Sequence, residues 1–156
     1  RVVVLTQNID GLHRAAGSRD VIEIHGDVHR LACTRCGFRA RVPDYDGLDL
    51  PPRCPECAAL VRPEVVLFGE MLPPEAVARL EEELRRGFDA VFSIGTTSVF
   101  PYVAAPVLMA RAWGAGTVEV NPGETEVSGV VDVRLRCGAA AAMDALVSAA
   151  NRAPVG

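Results

Sequence analysis

The chain has 156 residues, of which 49% are hydrophobic and 23% are charged, and its formal net charge is −4. This length suits one domain, or one domain with a small insert, and the composition is that of a folded protein rather than a disordered or fibrous one. The acidic balance argues against nucleic-acid binding, because proteins of that class usually present a basic face. The sequence contains neither a secretory apolar region nor an apolar run long enough to span a bilayer, so we expect no membrane association.

Strand and helix signals alternate along most of the chain. Residues 1–6 are β-branched and apolar, as in a buried parallel strand, residues 11–16 suit a short helix that Gly17 ends, and residues 21–24 suit a second strand. Later helices are predicted over 75–86, 102–113 and 139–150, and later strands over 90–94, 117–120 and 130–135. This alternation predicts an α/β fold built on an open, mainly parallel sheet.

Residues 27–62 interrupt this alternation, because Pro, Asp, Arg and paired Cys dominate there. This composition is typical of an insert that is held together by a bound metal. We therefore divide the chain into three parts: 1–26 and 63–156, which form the sheet, and 27–62, which forms a zinc module.

Four of the five cysteines form two Cys-x-x-Cys pairs, Cys33 with Cys36 and Cys54 with Cys57. An odd cysteine count with short paired spacings argues against a secreted disulfide framework and favours a reducing cytoplasm. Four thiolates complete a closed tetrahedron around Zn²⁺, which predicts a structural role. The alternatives are four unligated thiols or a redox pair, although a redox pair normally opens a helix. Cys137 is interpreted as a buried structural thiol.

Polar residues follow three predicted strands, where open α/β sheets place their sites. They are His25, the run Gly95-Thr96-Thr97-Ser98, and Asn121. Each also has a simpler interpretation: a structural histidine, an ordinary turn between strand and helix, and a turn cap. Likewise, Asn8 and Asp10 suit capping of the first helix, and periodicity alone favours a core position for Phe68.

Ordered along the chain, these residues resemble the signatures of the sirtuin family, in its bacterial-type form. Thr6 to His13 resembles TQNxDxLH, Glu23 to Gly26 resembles the catalytic histidine block, and Arg62 to Pro73 resembles RPxVVxFGExLP. The two cysteine pairs match the family's zinc module in place and order. Further similar segments are 94–98, 118–121 and 138–141.

The resemblance implies a Rossmann-like sheet with an inserted zinc ribbon, and an NAD-dependent protein-lysine deacylase. The acyl group would pass from lysine to ADP-ribose, with release of nicotinamide. His25 would be the general base, and Asn8 would hold ribose hydroxyls and a water. The implied NAD contacts are Gln7, Asn8, Asp10, Gly95, Thr96, Thr97, Asn121 and Ala140. The implied contacts of the acyl-lysine peptide are Val65, Val66, Phe68 and Gly69.

The sequence departs from the family pattern at its start, which lacks the GAGxSxxSGIPxFR segment that holds the NAD pyrophosphate. We therefore expect a fragment, a truncated product or a degenerate member, with a sheet incomplete at the N-terminus and weak turnover by residues 1–156 alone. Two other functions stay open at this point. One is an inactive remnant, and the other is a zinc-ribbon interaction module that binds protein without NAD turnover.

Overall fold

The computed structural model describes residues 1–152. Its elements in chain order are β1 (Val4–Thr6), α1 (Leu12–Ala15), β2 (Val21–Glu23), β3 (Gly26–Cys33), β4 (Arg39–Arg41), β5 (Val61–Val65), α2 (Pro74–Arg86), β6 (Ala90–Ile94), α3 (Pro101–Ala112), β7 (Gly116–Val120), β8 (Val133–Leu135) and α4 (Ala139–Ala150). No helix within residues 1–152 is both long and apolar enough to cross a membrane. The chain divides into two compact units, residues 1–82 and the residues from 83 onward.

The first unit contains a parallel strand pair, β1 and β2, with Val4 opposite Val21 and Thr6 opposite Glu23. Strand β2 is buried along its whole length, and Ile24 directly after it is fully buried. Burial on both faces suits the apolar residues Val21, Ile22 and Ile24. The one acidic residue among them, Glu23, forms ion pairs with Arg14 and Arg30.

The insert in the first unit is a three-stranded antiparallel sheet with the order β4-β3-β5. Leu31, Cys54 and Val61 form its small buried cluster, against which Phe38 and Tyr45 pack. Because so few apolar side chains are buried, burial contributes little to its stability, and a metal must supply most of the remainder.

The second unit contains the parallel sheet β6-β7-β8. Helix α3 packs on β6 and β7, and its Val107 and Ala110 are almost completely buried. Together with the β1–β2 pair, this sheet confirms the predicted mainly parallel α/β fold. The predicted strand over 130–135 begins later, at Val133, because the amides of Val130 and Val131 donate to the Val127 carbonyl and form a turn instead.

Candidate metal centre and candidate active site

The four paired cysteines converge in the insert, as their spacing predicted. The Sγ atoms of Cys33, Cys36, Cys54 and Cys57 all lie within 4.8 Å of one another. The Cys33–Cys57 and Cys36–Cys54 sulfur pairs are each 3.5 Å apart. Four sulfurs placed about 2.3 Å from a tetrahedral Zn²⁺ would be separated by about 3.8 Å. The donor set and its spacing therefore fit a closed structural zinc site.

Turns after β3 and before β5 bring the sulfurs together. Cys33 ends β3, and its Sγ accepts the backbone amides of Arg35 and Cys36, each at 3.4 Å. In the second turn, the amide of Ala58 donates to the Cys54 carbonyl at 2.9 Å, with Ala58 in the left-handed conformation at φ 58°. Neither pair opens a helix, so the redox alternative lacks the geometry it requires.

The thiols of the cluster differ in acidity. The amides of Cys36 and Arg35 lower the pKa of the Cys33 thiol to about 6. The Phe38 amide lowers the pKa of Cys36, but burial and the neighbouring sulfurs outweigh it and raise that pKa to about 12. Sulfurs this close cannot all be ionised without a cation between them, and a divalent metal removes that conflict.

His25 lies between β2 and β3 and is half-buried. Its carbonyl accepts the Val66 amide at 2.9 Å, and the Ile24 amide donates to the Thr6 carbonyl at 3.1 Å. The histidine block is therefore bonded on one side to the end of β1 and on the other to the segment after β5. Gly26 follows with φ +83°, and a Cβ there would lie 1.9 Å from the Glu64 carbonyl oxygen. Only glycine allows this close approach of the two strands.

The segment after β1 carries three of the predicted NAD contacts. Gln7 is half-buried, whereas Asn8 and Asp10 are exposed. The Asp10 carboxylate accepts the Leu12 amide at 3.0 Å, one residue before the N-cap position of α1, which is Gly11. This bond uses one of the two carboxylate oxygens of Asp10. The contact of Asp10 with NAD stays a prediction.

The segment after β5 is exposed to solvent from Leu67 onward and turns at Phe68 and Gly69. Val65 pairs with Gly26, and Val66 is tied to His25 through its amide. The Phe68 side chain is 102% exposed, so the core interpretation of Phe68 is wrong. Within residues 1–152, the Val66 carbonyl and both backbone polar groups of Phe68 make no backbone–backbone hydrogen bond.

In the second unit, the turn after β6 is bonded to the end of β7. The Asn121 side-chain nitrogen Nδ2 donates to the Thr96 carbonyl at 3.1 Å, and the Glu126 backbone amide donates to the Thr97 carbonyl at 3.1 Å. Ser98 is buried in the left-handed conformation at φ 56°, an uncommon arrangement for a residue other than glycine. Asn121 therefore holds the Gly95–Ser98 turn in place. Ala140 lies exposed in the first turn of α4.

Glu119 is a buried residue of the second unit that the sequence analysis did not single out. Its side chain is 1% exposed, pairs with Arg134 at 2.7 Å and accepts the hydroxyls of Thr125 and Ser128. Burial alone would raise the pKa of Glu119, but the two hydroxyls and Arg134 together lower it. The available sequence signal was a charged residue between Val118 and Val120 inside an apolar strand.

The Glu119→Gln substitution is expected to destabilise the fold by about 2–4 kcal/mol, since it leaves a partly buried guanidinium without its counter-charge. Because the native pKa is lowered, the stabilisation by Glu119 is present above its ordinary pKa and is lost as the pH falls through the native value. Urea unfolding of both proteins between pH 7 and pH 3 measures this. The control is Glu124→Gln, which removes an exposed partner of Arg134 and should cost less than about 0.5 kcal/mol. Equal effects of the two substitutions would contradict the assignment.

Comparison with known proteins shows to which family the chain belongs. A model of the Sir2 family matches residues 1–101. The chain belongs to the Sir2 family. This confirms the resemblance drawn from its motifs. The sirtuin chain is 51% identical over 148 residues to NAD-dependent protein deacylase 2 of Pseudomonas aeruginosa, covering 93% of this chain and 58% of that protein.

Two solved structures of Sir2 relatives have the same fold as this sirtuin. A crystal structure of a Sir2 homologue–NAD complex matches with a TM-score of 0.85 and 38% identity, covering 97% of this chain and 59% of that one. A Sir2–p53 peptide–NAD+ structure matches with a TM-score of 0.85 and 31% identity, over 97% and 64% of the two chains. The sirtuin chain thus spans about three fifths of the length of these proteins.

Proposed function

We propose that this chain carries the catalytic base and the peptide-binding segment of an NAD-dependent protein-lysine deacylase. The observation that carries the proposal is the 2.9 Å hydrogen bond from the Val66 amide to the His25 carbonyl. It places the histidine block and the exposed segment 66–69 side by side within one unit. The relative from Pseudomonas aeruginosa, whose name describes this activity, supports the same conclusion.

The acyl-lysine peptide is proposed to pair with the chain after β5. The Val66 carbonyl directly after β5 and the Phe68 backbone in the following turn are proposed to supply an acceptor and a donor–acceptor pair for main-chain hydrogen bonds to the peptide. Val65 supports this segment through its pairing with Gly26, and the exposed Phe68 ring offers an apolar wall for the lysine methylenes. The Sir2–p53 peptide–NAD+ structure, which contains a peptide together with a relative of this chain, supports a peptide partner.

NAD supplies the electrophilic ribose carbon that receives the acyl oxygen when nicotinamide leaves. His25 is proposed to accept a proton from a ribose hydroxyl, since an imidazole accepts protons near neutral pH. Asn8, Gln7 and Asp10 are proposed to orient the nicotinamide ribose and carboxamide. For the adenosine half, the proposed contacts are Gly95, Thr96, Thr97, Asn121 and Ala140.

Zinc is proposed to stabilise the fold and to take no part in the reaction. Cys33, Cys36, Cys54 and Cys57 fill all four positions of a tetrahedral ion, which leaves none for water or substrate. Four unoxidised cysteines suit a reducing compartment such as the cytoplasm, which we propose as its location. The net charge of −4 supports protein rather than nucleic acid as the macromolecular partner.

The proposal is tested by His25→Ala in the protein that carries residues 1–156. We expect the rate of NAD-dependent deacylation of an acetyl-lysine peptide to fall about a hundredfold or more, because loss of a general base typically costs this much. Released nicotinamide and the deacylated peptide are measured by chromatography. The matched control is His13→Ala on the exposed face of α1, which should leave the rate unchanged.

An interaction module without NAD turnover would behave differently. In that case His25→Ala would change no measured property, whereas Cys33→Ser would abolish capture of the partner protein. Full deacylation by a folded His25→Ala protein would remove the assignment of His25 as the base.

A further inference from the structure

Arg62 and Glu70 form a two-pronged ion pair across the segment after β5. Arg62 Nη1 lies 2.6 Å from Glu70 Oε1, and Arg62 Nη2 lies 3.0 Å from Glu70 Oε2. Two parallel hydrogen bonds between a guanidinium and a carboxylate fix the relative orientation of the two groups and also pair their charges. This pair, called the Arg62–Glu70 clamp below, therefore restrains the two ends of residues 62–70 against each other.

The clamp also holds the backbone between its two residues. Arg62 Nη2 donates to the Val65 carbonyl at 2.9 Å, and Glu70 Oε2 accepts the Leu67 amide at 2.9 Å. The Glu70 amide in turn donates to the Leu67 carbonyl at 3.0 Å. Both polar groups of the Leu67 backbone are thus occupied inside the loop. Within residues 1–152, the Val66 carbonyl and the Phe68 backbone, on either side of Leu67, take no part in these backbone bonds.

Burial does not hold this loop in place. Leu67 is 54% exposed, Phe68 102% and Met71 91%. Three exposed apolar side chains in five residues favour collapse of the loop onto nearby apolar surface. The Arg62 hydrogen bonds and the Leu67 amide lower the pKa of Glu70 to about 2, so the carboxylate stays charged at neutral pH. The hydrogen-bonded clamp is the feature of residues 62–70 that opposes collapse.

We propose that Arg62 and Glu70 are positioning residues that hold the turn of residues 66–70 in one conformation for the acyl-lysine peptide and thereby set the affinity for that peptide. This inference rests on the proposed function, because it assigns the source of order in the same peptide-binding segment. Neither side chain needs to touch the peptide. The pair acts through the Val65 carbonyl and the Leu67 amide.

The test compares Glu70→Gln and Arg62→Lys with the parent protein. Gln keeps the shape of Glu but has one acceptor oxygen instead of two, so it cannot make the Glu70 bonds to both Arg62 nitrogens and the Leu67 amide. Lys keeps the charge of Arg but lacks the two parallel donors of the guanidinium. We expect about a tenfold rise in the KM for an acetyl-lysine peptide in each variant. The kcat and the KM for NAD should stay within about twofold. The matched control is Arg39→Gln, which removes the 2.7 Å ion pair between Arg39 of β4 and Glu64 of β5 and should change none of these constants.

Amide hydrogen exchange of residues 65–70 provides a readout that does not depend on catalysis. We expect the Leu67 and Glu70 amides to exchange about tenfold faster in Glu70→Gln, with the exchange of β6 and β7 unchanged. Unchanged exchange at these two amides overturns the clamp. Faster exchange with an unchanged peptide KM also overturns the inference, but leaves the proposed function intact. A parent protein that neither binds nor deacylates the peptide refutes the proposed function itself, and the inference with it.

Discussion

Loss of the metal is expected to unfold the insert formed by β3, β4 and β5. Structural zinc in small modules contributes about 10–16 kcal/mol, whereas a whole domain is stable by only about 5–15 kcal/mol. The buried cluster of Leu31, Cys54 and Val61 is too small to replace that contribution. We expect Cys54→Ser to lose its zinc and to lose protection from amide exchange throughout residues 26–65.

Metal content by mass spectrometry and exchange at single residues measure the two parts of this prediction. The matched control is Cys137→Ser, because Cys137 lies outside the four-sulfur cluster. Its zinc content should equal that of the parent protein, and its melting temperature should change by no more than a few degrees. A zinc-free Cys54→Ser protein that keeps full protection over β3 and β5 would show that burial alone folds the insert.

The second large effect is expected for Gly26→Ala, next to the proposed base. The added Cβ would lie 1.9 Å from the Glu64 carbonyl oxygen, and the residue would keep φ +83°. Backbone must move to relieve this contact, so β3 and β5 can no longer pair as they do at Gly26 and Val65. We expect a loss of about 3 kcal/mol or more in the free energy of unfolding, from steric overlap and backbone strain together.

Gly17→Ala separates those two causes. Gly17 also has a positive φ, +92°, but a Cβ there would meet nothing within 4 Å. We expect it to cost about 1–2 kcal/mol, the conformational part alone. Urea unfolding followed by circular dichroism gives both values. If the two substitutions cost the same, the close approach of β3 and β5 contributes nothing, and the tight packing beside His25 is refuted.

Long regular elements were predictable because their signals are local. Helix α4 and strand β6 have the bounds that the sequence predicts, and α2 begins one residue earlier. Gly87 ends α2, where a positive φ of +73° is needed. Strand β8 is shorter than predicted because residues 130 and 131, which the sequence assigned to the strand, belong instead to a turn in which their amides donate to the Val127 carbonyl.

The candidate site was predictable to the extent that each residue belongs to a short motif. Cys-x-x-Cys brings two sulfurs together through one turn, so the zinc ligands follow from spacing. The Glu119 network and the Arg62–Glu70 clamp join residues 6 to 15 positions apart through turns whose shape the sequence does not state. The exposure of Phe68 is equally a product of the turn, because periodicity alone placed this ring in the core.

The amino-acid sequence by itself determined the alternation of strands and helices, the zinc ligands and membership of the Sir2 family, because all three depend on residue types at short or ordered spacings. Only the tertiary structure decided that Val66 is bonded to His25, that Asn121 is bonded to the Thr96 turn, and that a two-pronged ion pair of Arg62 and Glu70 spans an exposed apolar loop. Those features depend on hydrogen bonds between segments distant along the chain, and such bonds exist only once the strands have paired and the turns have closed.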